Sequence, residues 1–211
     1  NSFGWRIMAV IFGSLSIFLI YYIALEIFQK ISSALIAGFL LLIDPLHFVH
    51  TRIAMLDAFL LPFLLLSFYG MLRHFRYSKT GDQVSMFYSH WLLISALSIG
   101  IALSVKWTAT LGILGIIMIY LLFTFRIRRR EFSIRELKAL VKHSLFTCFL
   151  FIIIPLTVFF FSFSIFFLYG TSFEEWYRTQ LAIIEFQTSI QSVHPYQSRA
   201  WTWILNLKPM L

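Results

Sequence analysis

What most constrains this chain is the recurrence of apolar runs long enough to cross a lipid bilayer, with only short polar breaks between them. A spanning helix needs about 20 predominantly apolar residues. Residues 7–29, 55–72, 91–106, 108–125 and 144–169 read as such segments. A sixth, 31–47, ends in Asp44-Pro45, and because proline cannot continue a helix interior, its far end is expected to break at the membrane surface. Composition agrees: 60% of residues are hydrophobic and 12% are charged, whereas soluble domains carry about 25% charged residues. The expected fold is therefore all-α, a polytopic transmembrane helix bundle of about six spans. The pattern shows no internal repeat or Gly/Ser-rich linker, so 1–211 is read as one transmembrane domain ending in an external loop, 170–211. The segments flanking Lys106 are expected to form a tight helical hairpin. The chain opens on Asn1 and enters its first span almost at once, as expected of a piece of a longer protein.

The net charge of +8 does not imply nucleic acid, because that needs basic residues gathered on a solvated face. Here they lie between apolar runs. If six spans alternate, Lys30, Arg73, Arg76, Lys79, Arg126, Arg128, Arg129, Arg130, Arg135, Lys138 and Lys142 share one side. Arg6, Arg52, Lys106, Arg178, Arg199 and Lys208 share the other. The richer side is expected to be cytoplasmic, which places Asn1, 44–57, Lys106 and 170–211 outside. The single Cys148 excludes an internal disulfide and any multi-cysteine metal site. Lying within an apolar run, it is expected to be a buried structural thiol.

Two helices outside the spans are expected. Residues 132–143 set Ile134, Leu137, Leu140 and Val141 against Arg135, Lys138 and Lys142, the pattern of a basic amphipathic helix on the cytoplasmic leaflet. Residues 173–190 follow Ser172-Phe173-Glu174-Glu175, a capping-box spacing, and then present Trp176, Tyr177, Leu181, Ile184 and Phe186 to the outer interface.

Ionisable residues beside span ends are costly in lipid and mark sites. The stretch 44–57 carries Asp44, His47, His50, Arg52 and Asp57. Arg52 and Asp57 are about 140° apart on a helix, so spacing does not favour a direct pair. A bland account also exists: Arg52 snorkels to headgroups and Asp57 caps the next helix. His47 and His50 lack a further ligand motif, so interfacial histidines are expected and no metal. Lys106, before Trp107, is either a belt anchor or a cation aimed at an anionic ligand. His194, Tyr196, Gln197, Ser198 and Arg199, with Trp201 and Trp203, suit a polar or phosphorylated ligand. No Walker loop, His-Glu-x-x-His or nucleophile elbow is present.

Four stretches, Asn1 to Arg6 (NSFGWR), Thr51 to Asp57 (TRIAMLD), Ser104 to Thr108 (SVKWT) and His194 to Trp203 (HPYQSRAWTW), resemble the protein O-mannosyltransferase family. These are membrane glycosyltransferases of the GT-C fold, and the short HPYQS loop is similar to the prokaryotic branch; Ala200 departs from a common proline there. The resemblance implies transfer of mannose, with inversion, from a polyprenyl-phosphate carrier to Ser or Thr hydroxyls of exported proteins. It further implies a prokaryotic plasma membrane, an extracytoplasmic active side and no cofactor. Arg52 matches the family arginine and is assigned to the donor phosphate, with Lys106 as the second cation and Asp57 supporting, by orienting the arginine and capping its helix. His194, Tyr196, Gln197, Ser198 and Arg199 are assigned to the substrate loop. The family's catalytic Asp lies in a loop that would precede Asn1, so no catalytic base is assigned here. The resemblance thus implies a fragment lacking both ends, inactive alone. The competing expectations are a GT-C enzyme with a lipid acceptor and a transporter subunit, though transporters more often carry polar groups at mid-membrane.

The division of charge is testable by labelling in a Cys148→Ala background. Intact cells exposed to an impermeant thiol reagent are expected to be labelled at Ile190→Cys but not at Thr80→Cys; the reverse pattern overturns the orientation.

Overall fold

A computed structural model describes residues 2–78, 89–128 and 134–189, and every regular element among them is helical. The helices are α1 (Ser2–Phe28), α2 (Ile31–Leu42), α3 (Pro45–Arg52), α4 (Leu56–Ser78), α5 (His90–Val105), α6 (Thr110–Arg128), α7 (Ile134–Ser162), α8 (Ser164–Leu168) and α9 (Phe173–Ser189), with a 3₁₀ turn at Trp107–Ala109. The chain divides into two compact units, Asn1–Phe163 and Ser164–Leu211.

Every expected apolar segment is helical, and the helices differ in length. Arg6–Phe28, Leu56–Arg76 and Val141–Ser162 are long and apolar enough to span, and α2 with α3 adds a fourth, bent by 56°. The other two, His90–Val105 and Trp107–Phe123, are shorter, because the chain leaves helix at Lys106 and winds a 3₁₀ turn between them. That connection is tight, yet α6 packs mainly on α4: a side chain at Gly112 would meet Leu64, and one at Gly115 would meet Phe68.

α4 is the centre of the first unit. It packs most extensively on α5, then on α1, while α5 carries α7 on its other side. Helices in lipid gain little from hydrophobic exclusion, so small residues and interhelical hydrogen bonds hold them together. At the α4–α5 seam, buried Ser67 donates to the Ser95 carbonyl at 2.8 Å, and Ser95 donates back to the Ser67 carbonyl at 2.7 Å. Gly70 lets this seam close, since a Cβ there would lie 2.9 Å from the Trp91 carbonyl oxygen. Met71, Phe75, Leu92, Ile99 and Ile116 pack into a core beside it. Meanwhile Leu35, Ile36 and Phe39 on α2 and Phe149, Ile152 and Leu156 on α7 point outward, the surface a bilayer covers. This is a membrane protein.

Three expectations are corrected. The basic stretch 132–143 is not a separate surface helix from Ile134 onward: it runs unbroken into α7, since no Gly or Pro interrupts 134–154. α7 then stops at Ser162 instead of reaching 169. Cys148 is exposed on α7 beside Phe149, because an apolar run in a membrane faces lipid as readily as core.

In the second unit, α8 closes on Gly170 at φ 92, with Thr171 N–H donating to the Phe166 carbonyl and Gly170 N–H to that of Phe167. The capping box forms as expected: Ser172 N–H donates to Glu175 at 2.8 Å, and Glu175 N–H donates to the Ser172 hydroxyl at 3.2 Å. The backbone N–H of Ser172, then its hydroxyl, hold the Glu175 carboxyl below the usual range. A lowered carboxylate pKa stabilises the fold above the unfolded value, and this contribution is lost as pH falls through the folded value.

Far from Lys106, Glu26 at the end of α1 accepts from Arg73 at 2.7 Å and also from Arg76, which reaches Gln29 as well. Arg73 in turn stacks over Trp91 of α5 at 5.1 Å. Glu26 is almost covered while Arg73 and Arg76 keep access to water, so Glu26→Ala is expected to cost about 0.5–1.5 kcal/mol. Thermal unfolding of the detergent-solubilised protein checks this; an unchanged midpoint would show that the clamp contributes nothing.

Candidate functional site

The site is built by the way α2 ends. Asp44 leaves the helix in extended conformation and its carboxylate accepts from His47 N–H at 2.8 Å, so α3 starts with a capped end and Pro45 in its first turn. Eight residues later α3 is closed by Met55 N–H donating to the His50 carbonyl at 3.0 Å, with Ala54 at φ 54. That left-handed position usually takes glycine, and alanine there costs about 1 kcal/mol. Pinned at both ends, α3 presents Arg52 as its last residue.

α3 leans on α1, and between α1, α2 and α3 lies a cavity of about 360 Å³. Arg6 and Arg52 both line it, with His47 beneath. Its remaining wall is largely apolar: Val10, Ile17, Leu42 and Phe48. Two hydroxyls also border it, but their protons are committed to their own helices, Ser14 to the Val10 carbonyl at 2.8 Å and Thr51 to those of His47 and Phe48 at 3.0 Å. The other polar groups on the wall are Arg6, Arg52 and the ring of His47. Arg52 is exposed, and among the described residues no carboxylate lines the cavity.

At the same end of the bundle, Lys106 donates to both oxygens of Asp57, at 2.9 and 3.1 Å. Lys106 leaves helix just where α5 ends, and Asp57 sits in the first turn of α4, where a carboxylate also suits the helix dipole. The expectation that Asp57 orients Arg52 is thereby corrected: its carboxylate is engaged by a cation 49 residues away. An ammonium has three donors, so one N–H of Lys106 remains for an anion.

Of the sequence candidates, the structure brings Lys106 to Asp57 and places Arg52 on the cavity. His194, Tyr196, Gln197, Ser198 and Arg199 lie outside the described residues. Sequence reasoning missed Arg6 as a site residue, although it closes the NSFGWR stretch. It enters the site only because α1 begins at the end where α3 terminates.

Comparison with known proteins agrees. Residues 1–169 match the family model for dolichyl-phosphate-mannose-protein mannosyltransferase. A polyprenol-phosphate-mannose–protein mannosyltransferase from Corynebacterium glutamicum is 27% identical over 99% of this chain and 48% of its own length. Proteins of the same name from Mycolicibacterium smegmatis and Mycobacterium tuberculosis are 23% and 24% identical over 100% of the chain. The chain spans about half the length of these curated relatives. No solved structure matches it.

The Asp57–Lys106 contact is checked by a double-mutant cycle with Asp57→Asn and Lys106→Met in thermal unfolding. The partners touch, so a coupling of about 0.5–3 kcal/mol is expected. Strict additivity would contradict the pair.

Proposed function

The chain belongs to the dolichyl-phosphate-mannose-protein mannosyltransferase family, and on that footing we propose that the Arg6–Arg52 cavity receives the phosphate of a lipid-linked mannose donor. The observation that carries this reading is that two guanidinium groups share one cavity whose remaining wall is largely apolar. A sugar nucleotide or free phosphate has no use for Val10, Ile17, Leu42 and Phe48, whereas the first units of a polyprenyl chain do. The donor is a polyprenyl-phosphate mannose, as the relatives' names have it, and the acceptor is a Ser or Thr hydroxyl of a protein.

In the reaction the hydroxyl oxygen attacks the anomeric carbon and the bond to the carrier phosphate breaks. Negative charge grows on that phosphate, and cations placed beforehand lower the barrier. Arg52 takes it with the planar fork that a phosphate matches, and Arg6 faces the same cavity. Lys106 contributes its remaining N–H, with Asp57 holding it in place. The hydroxyl also needs a base. With Asp57 engaged and no carboxylate on the cavity among the described residues, this reading takes the base from a segment beyond them, and these residues alone do not transfer sugar. His194, Tyr196, Gln197, Ser198 and Arg199 complete the substrate side. The basic loops mark the opposite face as cytoplasmic, so the chemistry runs on the extracytoplasmic side of a prokaryotic plasma membrane.

The test is the initial rate of mannosylation per folded molecule of the complete natural polypeptide, with membrane insertion checked separately. Arg52→Ala is expected to lose about a hundred- to a thousandfold. Arg52→Lys recovers part, because an ammonium restores charge without the fork. Near wild-type rates for Arg52→Ala would leave Arg52 as a headgroup anchor.

A further inference from the structure

We propose that Gly13 is a positioning residue for this site: by having no side chain it lets α3 close onto α1, so that Arg52 and Arg6 face one cavity. The inference rests on the phosphate reading above. A Cβ on residue 13 would lie 2.2 Å from Thr51 Cγ2, 3.2 Å from Thr51 Cβ and 3.7 Å from His47 Cε1. The first distance is far inside van der Waals contact, so something must move.

The side chain of Thr51 is poorly placed to yield. Its hydroxyl is tied to the His47 and Phe48 carbonyls, which holds its rotamer. α3 is also too short and too firmly closed to bend: the Asp44 cap holds one end and the Met55–His50 bond the other. The helix therefore retreats as a unit, by about 1 Å to clear the contact. Arg52 is the next residue after Thr51 and His47 is one turn before it, so both leave Arg6 together. Displacement of that size at a binding group costs up to about a hundredfold. Gly13 lies on the cavity wall, but its role runs through Thr51 and Arg52, which the Thr51→Ser background separates from simple filling of the cavity.

Gly100 provides the contrast. A Cβ there would lie 2.9 Å from Val158 Cβ, where α5 meets α7, and Gly100 does not line the cavity. Substituting it taxes packing alone.

The experiment uses the complete polypeptide in membranes, with polyprenyl-phosphate mannose as the probe and a Ser/Thr peptide held at saturation. Donor KM, kcat and thermal midpoint are measured for the unsubstituted protein, Gly13→Ala, Gly100→Ala, Arg52→Ala, Thr51→Ser and Gly13→Ala in a Thr51→Ser background. Gly13→Ala is expected to raise donor KM by about tenfold or more, whereas Gly100→Ala lowers the midpoint and leaves donor KM in place. Thr51→Ser deletes the colliding methyl, so there Gly13→Ala is expected to fall within about threefold of Thr51→Ser alone. If Gly13→Ala by itself does not accumulate, this double variant carries the test, and a donor KM still raised in it overturns the proposal. Gly13→Ala that behaves like Gly100→Ala also overturns it, leaving the phosphate reading intact if Arg52→Ala still raises donor KM or lowers kcat. Donor KM and kcat both unchanged in Arg52→Ala remove the phosphate reading, and the positioning role with it.

Discussion

A helix that stops beside a bilayer leaves backbone groups that lipid cannot hydrogen-bond, and much of the site follows from how the α2–α3 break meets that constraint. The Asp44 carboxylate accepts the first free N–H of α3, Pro45 supplies a position with no N–H to satisfy, and the pair turns the chain through 56°. The bend lays α3 across α1, where Thr51 meets Gly13. A short helix with both ends tied off thus holds Arg52 on the cavity that Arg6 also lines. The cost is visible at Ala54, which adopts a conformation better suited to glycine.

Charge is then distributed unevenly between the two ends of the bundle. At one end Glu26 gathers Arg73 and Arg76 and ties α1 to α4. At the other, Asp57 takes Lys106, while the Arg6–Arg52 cavity has no carboxylate on its lining among the described residues. Two guanidinium-bearing residues therefore sit beside an apolar wall near a membrane surface. That combination fits a ligand with an anionic head and a hydrocarbon tail, and it is the physical link between this fold and a lipid-phosphate leaving group.

Much of the helical framework was legible in the sequence. Apolar runs must be helical in lipid, the Asp44-Pro45 break carries its own cap, and the Ser172–Glu175 box needs only local spacing. What was not legible depends on which side of a helix faces which neighbour. Lys106 and Asp57 meet only because α5 runs antiparallel to α4, a relation that spacing does not encode. Arg6 and Arg52 share a cavity that α1, α2 and the bent α3 build together, which spacing does not encode either. The same blindness explains Cys148, since hydropathy alone does not separate a lipid-facing thiol from a buried one. It also explains α7, where a change from basic to apolar composition looked like a boundary although nothing in the backbone chemistry ends the helix there.

The account stands or falls on the cavity being the seat of the donor. The direct measurement is photo-crosslinking of the complete polypeptide, in membranes, with a polyprenyl-phosphate probe whose photoreactive group sits in the isoprene unit nearest the phosphate, followed by peptide mapping. The account predicts adducts on α1 and α3 around Val10, Ile17 and Phe48, suppressed by excess polyprenyl-phosphate mannose and reduced in Arg52→Ala. Competable adducts confined to other helices, with the cavity residues unmarked, would contradict it.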